Sequence, residues 1–184
     1  MLRPKFPYGE PLDDIKIGRG DVVIIRRYLP TDDKAVRDLN RKALDKVPGY
    51  STIKRPPEFD KDINDIDGHY MQGRNDFIVA ELGSRIVGCA SMREVPEKGT
   101  NVVEFLRLRV DPVYFRNGIG EGLTRIRYEL ARKRGFEEAY MDVYGIQAAS
   151  IKLHEKDGWT LTETREREWA KQAGTNVFCY RKKL

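Results

Sequence analysis

A chain of 184 residues fits one domain and buries about 70% of its unfolded surface, enough to fold without disulfides or a structural metal. Its two cysteines, Cys89 and Cys179, exclude a disulfide scaffold, and with no apolar run near the roughly 20 residues of a membrane span and no secretory leader, a cytoplasmic protein without a membrane partner is expected. The 34 basic and 29 acidic residues leave a formal charge of +5, mixed in sign along the chain, which suits an anionic ligand without choosing nucleic acid over a phosphate-bearing cofactor.

Residues 1–20 carry Pro4, Pro7, Pro11, Gly9, Gly18 and Gly20 and read as an irregular arm ahead of one domain over 21–184. Val22 to Arg26 is a β-branched run. Thr31 to Asp33 can cap a helix whose apolar positions Val36, Leu39, Ala43 and Val47 recur at helical spacing. After the break at Gly49 to Pro57, Ile63, Ile66 and Tyr70 predict a second short helix between Asp60 and Gly73. Phe77–Leu82, Ile86–Met92 and Val102–Val110 predict three antiparallel strands, the first two joined by Gly83-Ser84-Arg85. Gly118 opens a long helix with Ile119, Leu123, Ile126 and Leu130 on one face, closed by Arg132, Lys133, Arg134 and Gly135. Ala139–Tyr144 is a strand and Gln147–Lys156 a short helix, and Val177–Arg181 is a last strand beyond a polar stretch that starts at Trp159.

The chemistry gathers where Asp111-Pro112 ends a strand and Gly118-Ile119-Gly120-Glu121-Gly122 opens a helix. Glycines let backbone amides approach a ligand, and the helix terminus adds about half a positive charge, so an anion, phosphate above all, suits that end. The spacing is not the dinucleotide fingerprint, because Leu123 stands at its third small position, and the Gly-Lys-Ser/Thr of a nucleotide phosphate loop is absent.

Over roughly residues 22–184 the chain resembles the GCN5-related N-acetyltransferase (GNAT) superfamily. Its first signature, Leu-x-Val-x-Pro followed by Arg/Gln-x-x-Gly-x-Gly/Ala, corresponds to Leu108-Arg109-Val110-Asp111-Pro112 and Phe115-Arg116-Asn117-Gly118-Ile119-Gly120. The second corresponds to Gln147-Ala148-Ala149-Ser150-Ile151-Lys152-Leu153-His154, ending at Gly158-Trp159. The resemblance implies a single α/β (α+β) domain: a mixed, mostly antiparallel sheet flanked by helices, in which the strands at 102–110 and 138–144 run parallel and splay apart around acyl-CoA. The pyrophosphate would meet Arg116, Asn117, Gly118, Ile119, Gly120, Glu121 and Gly122. The pantetheine arm would run along Leu108 and Val110, with Gln147 and Ser150 completing the cofactor contacts.

An attacking amine must shed a proton at neutral pH. Glu104 shares strand parity with Leu106 and Leu108 and matches the family's general base, while the Leu108 backbone N–H matches its oxyanion donor. His154 stands where the family has a tyrosine acid, and an imidazolium titrating near 6.5 can protonate the leaving thiolate. Phe115 and Gln147 replace the family's Arg/Gln and Asn, reshaping the cofactor contacts. The resemblance places the acceptor along Pro48–Arg74 and Thr162–Val177; the first includes Tyr50, Asp60, Asp62, Asp65 and Asp67, most of the acids reading as solvated surface, and Asp142 and Tyr144 share one strand face able to border it. His69 and His154 have no metal-ligand spacing, so no metal is expected.

The resulting expectation is an acetyl-CoA-dependent enzyme acetylating a primary amine, small molecule or peptide, by direct attack in a ternary complex. The altered positions Phe115, Gln147 and His154 leave a non-catalytic acyl-CoA-sensing module as the alternative. Nucleic acid is disfavoured, because Arg125, Arg127, Arg132, Lys133 and Arg134 spread around one helix without a recognition motif. Monomer and homodimer both stay open.

Overall fold

The protein, as a computed structural model, is described over residues 7–18, 20–52, 57–172 and 174–184. In chain order the elements are β1 (Pro11–Ile17), β2 (Asp21–Arg27), α1 (Asp33–Leu44), α2 (Lys61–Asn64), α3 (Ile66–Tyr70), β3 (Asp76–Leu82), β4 (Arg85–Glu94), β5 (Val102–Val110), α4 (Ile119–Lys133), β6 (Glu138–Tyr144), α5 (Ala148–Lys156), β7 (Thr160–Arg165), α6 (Glu168–Lys171) and β8 (Val177–Lys183). One sheet of eight strands runs β1-β2-β3-β4-β5-β6-β8-β7. Every pairing is antiparallel except β5 with β6.

Strand alternation distributes the core to both faces. Ile78 and Ala80 join Val23, Ile25 and Val87 under the apolar stripe of α4, formed by Ile119, Leu123, Ile126 and Leu130. Phe77 and Val79 face the other way, against Val36 and Leu39 of α1 and Ile66 and Tyr70 of α3. Gly83 takes φ +60° in the two-residue β3–β4 turn, a conformation costly for any side chain. Gly122 serves packing instead: a Cβ there would lie 2.2 Å from Ile15 Cδ1, so its smallness lets α4 lie against β1.

Three expectations need correction. Pro11–Ile17, assigned to an irregular arm, is a strand of the sheet, so the sheet begins before residue 21; residues 1–6 of that arm and Arg19 lie outside the described residues. β1 is an edge strand beginning with a proline and carrying Asp13 and Asp14, which hides its β character in the sequence. Thr160–Arg165 is likewise an edge strand, exposed almost throughout, so no apolar alternation marks it. The single helix expected over 60–73 is two, broken at Asp65 (φ −142°, ψ 68°), whose side chain caps the second by accepting from Gly68 N at 3.0 Å.

Candidate active site

β5 and β6 pair only at Val102↔Glu138, Val103↔Ala139 and Glu104↔Tyr140. Beyond Glu104 they part, each held by its outer neighbour: β5 stays on β4 to Val110↔Gly88, and β6 stays on β8 to Tyr144↔Val177. The opening is a cavity of about 710 Å³. Of the residues singled out in the sequence, Glu104, Leu108, Gln147, Ser150 and His154 line it together, whereas Val110 and the Arg116–Gly122 loop are not among its walls.

The β4–β5 register slips between Cys89↔Arg109 and Ser91↔Leu106, so two residues of β5 stand opposite Ala90 alone. This bulge leaves backbone groups at 107–108 outside the regular ladder. It also breaks the expected parity. Leu106 packs with the α1–α3 cluster, while Leu108 and Val110 pack on the α4 side, so Leu108 does not share a face with Leu106. Arg107 holds the bulge at φ +53°, donating from Nε to Asp62 Oδ2 at 2.9 Å and from Nη1 to Asp60 Oδ1 at 3.2 Å. Burial alone would raise the Asp62 pKa, but the Arg107 guanidinium outweighs it and holds the carboxyl below its ordinary value. Asp62→Ala leaves Arg107 with only the more exposed Asp60 for a carboxylate partner and is expected to cost about 3 kcal/mol in denaturant unfolding. Breaking the exposed Lys34–Asp38 pair should leave stability nearly unchanged; equal losses would show that the Arg107 cluster is not structural.

Glu104 is 8% exposed and pairs with Arg93, whose Nε and Nη2 both approach Oε2 at 2.7 Å. Those contacts leave Oε1 uncommitted. Burial raises the Glu104 pKa above its ordinary value, and Arg93 only partly offsets this. A buried carboxylate with one oxygen uncommitted and a raised pKa can accept a proton from a ligand in the cavity.

Beyond β5, Arg116 (φ +64°) and Gly118 (φ +77°) turn the chain into α4. Asn117 Nδ2 donates to the carbonyls of Tyr114 and Phe115, both at 3.2 Å, bracing this turn. The amides of Ile119, Gly120 and Glu121 fall in the first helical turn, where no helical carbonyl lies four residues before them to accept. Gly122 differs from the expectation, since its N–H donates to Gly118 O at 2.9 Å and is unavailable to a ligand. A Cβ at Gly120 would meet only Val110 Cγ2, at 3.7 Å, so the helix start is open there. Such a terminus fits an anion such as pyrophosphate.

Just ahead of α5, Gln147 accepts the Tyr144 N–H on Oε1 at 3.3 Å. His154 is 3% exposed, packed edge-on against Trp159 at 5.6 Å between ring centroids, and its Nδ1 is buried without a partner. Burial first, then the Arg127 charge, lowers its pKa from 6.5 to about 4. The imidazolium expected to titrate near 6.5 is therefore replaced by a neutral ring at physiological pH. Folding stability should be full above pH 6.5 and fall on acidification toward pH 4, by on the order of 3 kcal/mol, as the unfolded chain takes up a proton that the native ring resists. Unfolding of the wild type and of His154→Phe at pH 7 and pH 4 checks this: the gap between them should change by about that amount, and a constant gap contradicts it.

Other cavity residues carry no site assignment from the sequence. Arg93, Arg107, Arg109 and Arg127 line the walls beside Phe59 and Trp169. Trp169 packs edge-on against Phe59 and Tyr144, with centroids 5.0 and 4.8 Å apart. Only Arg127 carried a local signal, four residues after Leu123 at the border of the α4 apolar stripe. Of the expected acceptor acids, Asp60 and Asp62 serve Arg107, Asp65 caps α3 and Asp67 accepts from Tyr8.

The acetyltransferase (GNAT) family model matches residues 40–159, more than half of the chain, from α1 to the end of the second signature. The chain belongs to this family. N-acetyltransferase family 8 member 2 of Rattus norvegicus is 29% identical over 103 residues, 55% of this chain and 46% of that protein. N-acetyltransferase family 8 member 7 of Mus musculus is 29% identical over 104 residues, with 55% and 46% covered. The match therefore spans a little under half the length of these relatives. Among solved structures, a GNAT-family acetyltransferase from Staphylococcus aureus Mu50 superposes with a TM-score of 0.73 at 14% identity, covering 88% of this chain and 99% of that one. The paia N-acetyltransferase of Thermoplasma acidophilum, solved with coenzyme A, superposes at 0.67 with 18% identity and coverage of 88% and 99%. These likenesses establish the GNAT fold.

Proposed function

We propose that this protein is an acetyl-CoA-dependent N-acetyltransferase that passes the acetyl group to a primary amine, on a small molecule or a peptide, by direct attack in a ternary complex. The observation that carries this reading is the parting of β5 and β6 after Glu104, which opens a cavity with a buried carboxylate on one wall. Acetyl-CoA, when bound, supplies an acyl carbon already activated as a thioester. The free amides of Ile119, Gly120 and Glu121, with Arg116 beside them, hold the pyrophosphate, and Leu108, Val110, Gln147 and Ser150 guide the arm inward.

Glu104 takes the proton of the attacking amine, directly or through a water, which a carboxylate with a raised pKa does near neutrality. The backbone N–H of Leu108, beside the bulge, hydrogen-bonds the oxyanion. His154 contributes a neutral N–H toward the leaving sulfur. Initial-velocity measurements test the order of events. A ternary complex gives intersecting double-reciprocal lines when acetyl-CoA and amine are varied together; parallel lines, the pattern of a covalent acyl-enzyme, would overturn direct attack.

A further inference from the structure

Arg127 is a buried cation that no carboxylate among the described residues pairs with. It is 2% exposed, donates from Nη2 to Thr124 Oγ1 at 3.3 Å, reaches the Leu106 carbonyl from Nη1 only at 3.5 Å, and leaves Nε without a partner. Its guanidinium otherwise lies over the Phe105 ring, 4.5 Å from the centroid. The other buried arginines, Arg26 and Arg27, each hold an aspartate, as does the partly buried Arg107; partly buried Arg109 on the same cavity wall donates instead to Asn40 Oδ1 at 3.0 Å. Asp157, whose charge reaches Arg127, is already engaged by Tyr128, Trp159 and Lys182. An uncompensated buried charge is costly to keep, which directs attention to what the cavity receives.

The position is specific. Leu106 lies two residues beyond the last β5–β6 pair, so Arg127 reaches the vertex of the gap, and it lines the cavity together with His154 and Leu108. It also stands eight residues along α4 from Ile119, about 12 Å from the anion-accepting amides at 1.5 Å per residue, within reach of a pantetheine arm anchored there. We propose that Arg127 is a further catalytic residue, whose guanidinium takes up the negative charge that gathers on the CoA sulfur as the thioester bond breaks.

This assignment rests on the acetyl-transfer reading. As the amine nitrogen bonds to the acyl carbon, the C–S bond breaks with its electron pair on sulfur and the amine proton passes to Glu104, so CoA departs as a thiolate paired with Arg127. No proton donor is then needed, consistent with a neutral His154. Burial lowers the Arg127 pKa only to about 10, so the guanidinium keeps its charge at neutral pH.

Calorimetry with CoA and with desulfo-CoA, which lacks the thiol, from pH 6 to 9 tests this apart from turnover. In the wild type, CoA should gain about tenfold over desulfo-CoA as pH rises, with the bound thiol titrating below its free value near 8.5. Arg127→Met should abolish that gain while leaving desulfo-CoA affinity within about twofold, and Arg127→Lys should keep part of it. Melting of Arg127→Met should not be lowered, because the cost of the buried charge goes with it. If Arg127→Met keeps the pH-dependent preference, or if the wild type binds both analogues equally at every pH, the assignment falls alone. If the wild type binds neither analogue, the transferase reading falls with it.

Discussion

Glu104→Gln should lower turnover by about 10²–10⁴-fold, the range general bases contribute, with CoA affinity changed less than about twofold. Glutamine keeps the volume of the side chain and an oxygen for Arg93, whose own side chain is 40% exposed and can turn to water, so the substitution removes a proton acceptor with little disturbance of the fold. Because burial holds the Glu104 pKa above its ordinary value, the wild-type rate should fall on its acid side at a pH above the usual glutamate range near 4.3. That limb should vanish in the variant, and raising the pH should recover part of its rate as the amine loses its proton to bulk solvent. A variant that turns over at the wild-type rate at neutral pH would remove Glu104 as the base.

Gly120→Asp is expected to weaken CoA binding about a hundredfold or more, roughly 3 kcal/mol, without unfolding the protein. A Cβ at residue 120 meets nothing closer than Val110 Cγ2 at 3.7 Å, and an acidic side chain in the first turn suits the α4 dipole, so melting should hold or rise slightly. The same charge occupies the field that would receive the pyrophosphate. Gly122→Leu provides the contrast: it drives a side chain into Ile15 and Ile25, so it should lower stability first. CoA affinity unchanged in a folded Gly120→Asp protein would move the phosphate site away from the start of α4.

The elements with strong apolar periodicity, α1, α4, β3, β4 and β5, were legible because each buries one side against the core, and that burial writes its period into the sequence. β1 and β7 were not legible, since edge strands need charge and polarity where inner strands need alternation. The site divides along similar lines. Glu104, Gln147, Ser150 and His154 were found through motif spacing and do line one cavity. The face that Leu108 presents was misread, because one extra residue in β5 inverts parity and no local pattern announces a bulge. Arg107 with Asp62 lies 45 residues apart in sequence and is visible only once folded. The His154 titration was misjudged for a related reason: residue type sets the starting pKa, and burial sets where it ends.

The most direct test of the central claim is release of free thiol from acetyl-CoA, followed with and without a panel of primary amines and short peptides. The account predicts release that saturates with at least one amine, matched mole for mole by acetylated amine, and only slow background hydrolysis without it. Protein that is stabilised by CoA yet releases no thiol with any amine or peptide would contradict the transferase and leave a module that binds acyl-CoA without using it.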